Sequence, residues 1–257
     1  MIIAIAANSE YIVYLHTMLK SLFVNLSQPN DVTVVVLETD IPVSARSDIN
    51  ELANVFGATV TFIKINNNEF NGFKLNTDLS HISRETFYRI ALPELLPDRD
   101  KVIYMDCDII VLDDLRKVWN IDLSEYHLAA VEDFNNAWAK RKGRVPEETK
   151  YFNAGFLVIN LKEWRKNNVS SQLREILLDS QLSLRYMDQD ALNLVLNNKY
   201  LELDRAWNYQ LAFWKHGMPI QHPSLLHFAG PEKPWNSVTE YNEVYQYYLN
   251  LEVKQLV

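Results

Sequence analysis

KVIYMDCDIIVLDDL, running from Lys101 to Leu115, decides how this chain is read. Its apolar, strand-forming half ends in Asp106-Cys107-Asp108, two carboxylates separated by one residue. Side chains alternate along an extended chain, so Asp106 and Asp108 are expected on one side of a solvent-facing strand end and Cys107 on the other. In open α/β sheets ligands bind beyond the carboxyl ends of the strands. Two anions placed there repel each other unless a divalent cation stands between them and the ligand, and oxygen ligands of this kind suit Mg²⁺ or Mn²⁺. The plainer alternative is a pair of exposed turn carboxylates capping the next helix, but Asp113 and Asp114 already stand where such a cap belongs.

Outward from this segment, strands and helices alternate. IIAIAA (2–7), VTVVVLE (32–38), TVTFIKI (59–65) and VIYM (102–105) read as strands. Between them, apolar positions at Tyr11, Leu15, Met18, Leu19 and Leu22, the segment 43–56 stopped by Gly57, and the segment 83–95 read as helices. LAAVED (128–133), AGFLVINL (154–161) and LLHF (225–228) are later strands, with helices near 188–197 and around Tyr241, Val244, Tyr245 and Tyr248. This alternation predicts an α/β fold with a mostly parallel central sheet flanked by helices. The stretch FNNAWAKRKGRVPEETKY, basic at Lys140, Arg141, Lys142 and Arg144, reads as a solvated loop or a lid. No repeat or linker divides the 257 residues, so one globular domain over 1–257 is expected; the ending LEVKQLV carries no terminal signal and leaves open a region beyond it.

A hydrophobic share of 48% supports a sizeable core, and a net charge of −8 argues against nucleic acid or an anionic membrane as the main partner. The N-terminus lacks a basic n-region and no stretch approaches the ~20 apolar residues of a membrane span. With one cysteine no internal disulfide forms, and the cytoplasm is the expected compartment. Glycine is scarce: the six lie at 57, 72, 143, 155, 217 and 230, too scattered for a glycine-rich phosphate loop. Any phosphorylated ligand must be held by a metal and cationic side chains instead.

Three further clusters accompany the carboxylate pair. YFNAGFLVINLKEW (151–164) carries Asn153 at the start of a buried strand, and RYMDQDALN (185–193) places Asp188, Gln189 and Asp190 at a helix start, where acids also complement the helix dipole. LHFAGPEKPW (226–235) sets His227 at a strand end, followed by Gly230, Lys233 and Trp235. Imidazole can complete a Mn²⁺ shell, and an ammonium can neutralise phosphate.

Together these motifs, from AANSEY at 6–11 to GPEKPW at 230–235, resemble glycosyltransferase family 8, which includes glycogenin and bacterial lipopolysaccharide galactosyl- and glucosyltransferases. DxD, FNAG, DQD and H-x-x-G-x-x-K-P-W appear in the family's order. The resemblance implies a single GT-A (Rossmann-like) domain, a UDP-hexose donor such as UDP-galactose or UDP-glucose, a Mn²⁺ cofactor with Mg²⁺ as the substitute, a glycan or glycoprotein acceptor and retention of anomeric configuration. It further implies that Asp106, Asp108 and His227 hold the metal and that Lys233 and Gly230 contact the diphosphate. Ala6, Asn8 and Tyr11 fall where uridine binds. Arg89, Asp106, Asn153, Asp188 and Gln189 fall where the hexose binds, with Cys107 counted in the donor-contacting stretch and His81 on the acceptor side. The family often has Asp where this chain has Asn8, and Asn where it has Glu10. An amide is a poor nucleophile, so front-face attack is favoured over a double displacement, with Gln189, Asp188, Asn153 and Arg89 orienting and stabilising the sugar.

Three rival classes remain to be weighed. A haloacid-dehalogenase-type phosphatase would need a later Gly-Asp motif, which is missing. A sugar-1-phosphate nucleotidyltransferase would need an N-terminal glycine-rich loop. A catalytically inactive UDP-sugar-binding module would keep the fold without the full set of polar residues found here.

Overall fold

The computed structural model describes residues 1–79, 81–135, 137, 139 and 145–253 of the 257. Its centre is a seven-stranded sheet in the order β3-β2-β1-β4-β7-β6-β8. The strands are β1 (Ile2–Ala7), β2 (Thr33–Glu38), β3 (Thr59–Lys64), β4 (Lys101–Met105), β6 (Leu128–Glu132), β7 (Phe152–Asn160) and β8 (Tyr200–Glu202). A small second sheet joins β5 (Ile109–Val111), β10 (Leu225–His227) and β9 (Tyr209–Gln210). Only β7 opposes its neighbours in the large sheet; the pairs β1–β2, β2–β3, β1–β4 and β6–β8 are parallel.

All six residues of β1 are buried, as expected for a strand covered on both faces. Ile3, Ile5 and Ala7 pack with Leu15, Met18, Leu19 and Leu22 of α1 (Ile12–Asn25) and with Ile49 and Leu52 of α2 (Val43–Val55). Ile2, Ala4 and Ala6 point the other way, into a core shared with the segment 84–96 and later helices. Those include α3 (Leu92–Leu95), α5 (Leu161–Lys166), α6 (Val169–Leu178) and α7 (Met187–Val195); α4 (Arg116–Trp119) follows β5. Asp114, one residue before the Leu115 N-cap of α4, accepts from the Arg116 backbone N–H at 2.9 Å. The last helices are α8 (Leu211–Lys215) and α9 (Asn242–Asn250), and α9 buries Tyr245 and Tyr248.

Several expectations need correction. The helix expected over 83–95 is a 3-10 helix over Arg84–Ala91 that becomes α-helical only at Leu92, where Pro93 occupies the first turn. The strand expected from 154 begins at Phe152 and ends at Asn160, whose side chain caps α5 through the Glu163 N–H at 3.1 Å. Helix α6 and strand β8 were not anticipated. Lys140, Arg141, Lys142 and Arg144 lie outside the described residues.

Strand order is what places the site. The chain steps outward from β1 to β2 to β3, then returns to lay β4 on the other side of β1. The crevice opened by that reversal lies beyond the carboxyl ends of β1 and β4, where open α/β sheets bind ligands. Because β7 runs backwards, its first residues, Asn153 to Gly155, reach the same edge.

Candidate active site

A cleft of about 640 Å³ occupies that edge. Strand β1 delivers Ala6, Ala7 and Asn8, β4 delivers Asp106, and β10 delivers His227. The Asp-Cys-Asp segment is a turn between β4 and β5, not an extended strand end. Its carboxylates still converge: one oxygen of Asp106, one of Asp108 and a ring nitrogen of His227 lie within 4.8 Å of one another. Cys107 goes the opposite way, its buried thiol donating to the Ala6 carbonyl at 3.2 Å.

Asp108 is not solvent-facing. Its side chain is 12% exposed and is clamped by the Lys233 ammonium, with His227 Nε2 at 3.3 Å. Burial works against ionising Asp108, but Lys233 and His227 outweigh it and hold the carboxyl well below its usual range. Asp106 shifts upward instead, pushed by burial and by the neighbouring Asp108 against the pull of Arg89. It keeps 29% of its side-chain surface, so solvent moderates that push.

Two carboxylates and an imidazole form a donor set that suits Mn²⁺. Gly155 leaves the space for them. A Cβ added there would sit 2.8 Å from Asp106 Oδ2 and 3.0 Å from His227 Nε2, and closer still to His227 Cε1. The residues present fit a divalent cation.

Opposite this cluster, Arg89 is fully enclosed. Its Nη2 lies 3.0 Å from Asp106 Oδ1, its Nε lies 3.2 Å from Asp188 Oδ2, and its guanidinium sits 4.2 Å over the Tyr104 ring. It also donates to the Ala154 carbonyl and, at 2.9 Å, to the Thr86 carbonyl. Thr86 Oγ1 donates to Asp188 Oδ1 at 2.8 Å, whereas Asp188 Oδ2 is buried without a hydrogen-bond partner. Just before Asp188, Met187 has φ +37°, a backbone state that a non-glycine residue adopts at a cost of about 1 kcal/mol.

Burial raises the Asp188 pKa to about 6, only partly offset by Arg89. The folded protein therefore holds a proton on Asp188 that the unfolded chain, titrating near 3.8, has lost. More protons bound in the folded state means that stability falls as pH rises through this window, by on the order of 2 kcal/mol. Urea unfolding at pH 4 and pH 7 should show the stability difference between the parent protein and Asp188→Asn shifting in the variant's favour at the higher pH. A difference independent of pH would remove Asp188 as the titrating group.

The remaining expected residues line the same cleft. Asn8 Oδ1 caps the 3-10 turn Ser9–Tyr11 through the Glu10 N–H at 3.1 Å. Tyr11 stands edge-on to Tyr14, whose ring stacks on Trp235 with centroids 3.6 Å apart. That stack pins the turn carrying Gly230 and Lys233; Gly230 has φ +96°, the left-handed region that favours glycine. Burial, with Lys233 next, lowers the His81 pKa, and the residue faces the cleft.

Gln189 is bound on every side. Its Oε1 accepts from the Ala154 N–H at 2.9 Å and Asn153 Nδ2 at 3.3 Å, while its Nε2 donates to Asp133 Oδ2 and Tyr151 OH, both at 3.2 Å. Asp190 is structural: it accepts from the Arg185 and Tyr186 backbone N–H groups at 2.7 and 3.0 Å and from the Tyr151 hydroxyl. Sequence reasoning missed Thr86, Asp133, Tyr151 and Asn208. Asp133 ends a predicted strand, which was the available signal; Asn208 lies in a 3-10 turn with no local signature.

The profile of Glycosyl transferase family 8 matches residues 2–239. General stress protein A of Bacillus subtilis (strain 168) is 31% identical, covering 95% of this chain and 91% of its own. The lipopolysaccharide 1,3-galactosyltransferase of Salmonella typhimurium is 32% identical over 64% of this chain and 52% of its own. The crystal structure of the galactosyltransferase LgtC, solved with donor and acceptor sugar analogues, superposes with a TM-score of 0.87 at 28% identity, covering 97% of this chain and 95% of that one. The seven-stranded sheet with its reversed β7 is thus the GT-A arrangement, and the chain belongs to glycosyltransferase family 8.

Proposed function

We propose that this protein is a retaining glycosyltransferase that moves a hexose, galactose or glucose, from UDP-hexose to a glycan acceptor on a cell-surface polysaccharide, lipid-linked glycan or glycoprotein, with Mn²⁺ held by Asp106, Asp108 and His227. One observation carries the reading: the three-ligand cluster, Lys233 and the buried Arg89–Asp188 pair meet in a single cleft. The likeness to a galactosyltransferase and to a lipopolysaccharide 1,3-galactosyltransferase favours UDP-galactose. Among the described residues no helix is long and apolar enough to cross a membrane.

Bound in this site, the cation supplies Lewis-acid stabilisation of the departing diphosphate. The chain's own residues do the rest. Lys233 leaves Asp108 for the phosphate and neutralises its charge, as a compact ammonium suits. Ala6, Asn8 and Tyr11 take the nucleoside, Tyr11 presenting an aromatic face to uracil. Asp188 Oδ2, ion-paired with Arg89 but free of hydrogen bonds, accepts a sugar hydroxyl, while Thr86 holds the other carboxylate oxygen. Asn153 and Gln189 wall the sugar face, and His81 faces the acceptor.

UDP release should require both a UDP-hexose and Mn²⁺, and fall on chelation. A phosphatase would release inorganic phosphate instead, and an inactive module would release nothing.

The amide of Gln189 has its hydrogen-bonding capacity taken up by protein partners, which favours front-face attack. Gln189→Ala should lose ~10²–10³-fold in turnover and keep the retained anomer by NMR, the scale of one lost electrostatic contact. A stable one-hexose mass increase on Gln189 of the parent protein, after incubation with donor alone, would sink this reading.

A further inference from the structure

We propose that Asn208 is a positioning residue that decides which nitrogen of His227 faces the metal, and that Asp133 sets the orientation of Asn208 through Asn153. The inference rests on the metal site proposed above. His227 has an acceptor on either side: Asp108 Oδ1 lies 3.3 Å from Nε2, and Asn208 Oδ1 lies 2.8 Å from Nδ1. A neutral imidazole carries one proton, and a metal needs the nitrogen that lacks it. Left to Asp108 alone, the proton would sit on Nε2 and block the ligand position.

The heavy-atom contacts exclude that tautomer in the loaded site. Asn153 has two partners of fixed character. Asp133 is a carboxylate that only accepts, so the Asn153 atom 2.8 Å from it is Nδ2. The Gly155 backbone N–H only donates, so the Asn153 atom 2.9 Å from it is Oδ1. That same Oδ1 lies 2.9 Å from the Asn208 amide and requires a donor there, so Nδ2 of Asn208 faces Asn153. Its carbonyl oxygen is then left facing His227, and an oxygen at 2.8 Å requires Nδ1 to be the donor. Nε2 keeps its lone pair toward Asp106 and Asp108. Asp133 also takes the Asn135 N–H at 2.6 Å and the Gln189 amide at 3.2 Å, donors that hold it as the fixed end of the chain. Asp133, Asn153, Asn208 and His227 are all buried.

Two variants separate this role from packing. Asn208→Leu keeps the branched shape, with added bulk, and removes the acceptor. Asn208→Asp keeps an acceptor for Nδ1–H but sets oxygen against Asn153 Oδ1. Mn²⁺ affinity is read from loss of the free aquo-ion EPR signal, and stability from thermal melts. The leucine variant should bind Mn²⁺ ~10–100-fold more weakly, the usual scale for losing the partner of a metal-bound histidine. The aspartate variant should stay within about threefold while melting lower than the parent. If a merely structural role applied, Mn²⁺ affinity would follow melting temperature in both. Leucine-variant binding as tight as the parent's, or aspartate-variant binding as weak as the leucine variant's, overturns the proposal. A parent protein that binds no Mn²⁺ overturns the metal site with it. Should the leucine variant not fold, long-range ¹H–¹⁵N spectra of the histidine-labelled parent decide, with Zn²⁺ as diamagnetic stand-in and His227→Gln for assignment. They should show the His227 proton on Nδ1; a proton-free Nδ1 overturns the proposal.

Discussion

Asp108→Ala should lower turnover by at least ~10³-fold and also destabilise the fold, because Asp108 serves two positive partners at once. It is one of three candidate ligands of the cation, and it is the carboxylate on which Lys233 rests. The Lys233 side chain is 7% exposed, and its other contact is the Phe228 carbonyl at 2.8 Å. Truncating Asp108 leaves that ammonium buried without its counter-charge, a change that costs about 3 kcal/mol and lowers the melting temperature of a chain this size by roughly 6–12 °C. A second substitution separates the two roles. Asp108→Ala with Lys233→Met removes the stranded charge, so the melting temperature should recover while Mn²⁺ affinity stays lost. Recovery of Mn²⁺ affinity with stability would mean that Asp108 acts only as a structural counter-ion, and the metal reading would fall.

The strands of the parallel half were legible because their burial is two-sided and their sequence correspondingly apolar. IIAIAA and VVVLE have no polar residue before the sheet edge, and a short run of that kind between helix-patterned segments has one plausible packing. The 84–95 segment was misread because its apolar positions satisfy a helical pattern, while the chain tightens into 3-10 turns to bring Thr86 and Arg89 onto the Asp188 side of the cleft. Strand β8 is three residues long and β9 two, lengths at which pattern carries no information and tertiary pairing decides.

The site divides along the same line. Asp106, Asp108, Asp188, Gln189, His227 and Lys233 could be listed from the sequence because each sits in a short motif. Their connections could not, since Asp133, Asn153 and Asn208 are far apart in the chain and meet only when β6, β7 and the turn before β9 are stacked. The solvent-facing setting expected for Asp108 failed for a related reason. Lys233 stands 125 positions later, and nothing near Asp108 in the chain announces that an ammonium will cover it.

Gly155→Ala should be among the most damaging single methyl additions in the molecule, although the backbone there is ordinary strand. Gly155 does not appear among the residues with positive φ, so no conformational penalty applies, and the effect is purely steric. The new Cβ would meet His227 and Asp106 Oδ2 well inside van der Waals contact. Neither can retreat cheaply. The His227 backbone pairs with both β5 and β9, and Asn208 holds its Nδ1 from behind at 2.8 Å. Asp106 is tied to Arg89 at 3.0 Å, and its own N–H bonds the Gly155 carbonyl at 2.9 Å. Overpacking of this kind costs about 1–3 kcal/mol. The larger consequence falls on function, since displacing His227 spreads the ligand cluster; turnover should drop ~10²–10³-fold, with Mn²⁺ affinity falling alongside. Adding His227→Ala to Gly155→Ala empties the space the methyl needs, so the double variant should melt higher than Gly155→Ala alone while remaining inactive. Mn²⁺ binding and melting temperature measured on the parent and these two variants decide the matter. Parent-like Mn²⁺ affinity in Gly155→Ala would show that the cation does not sit between Asp106 and His227 at this strand.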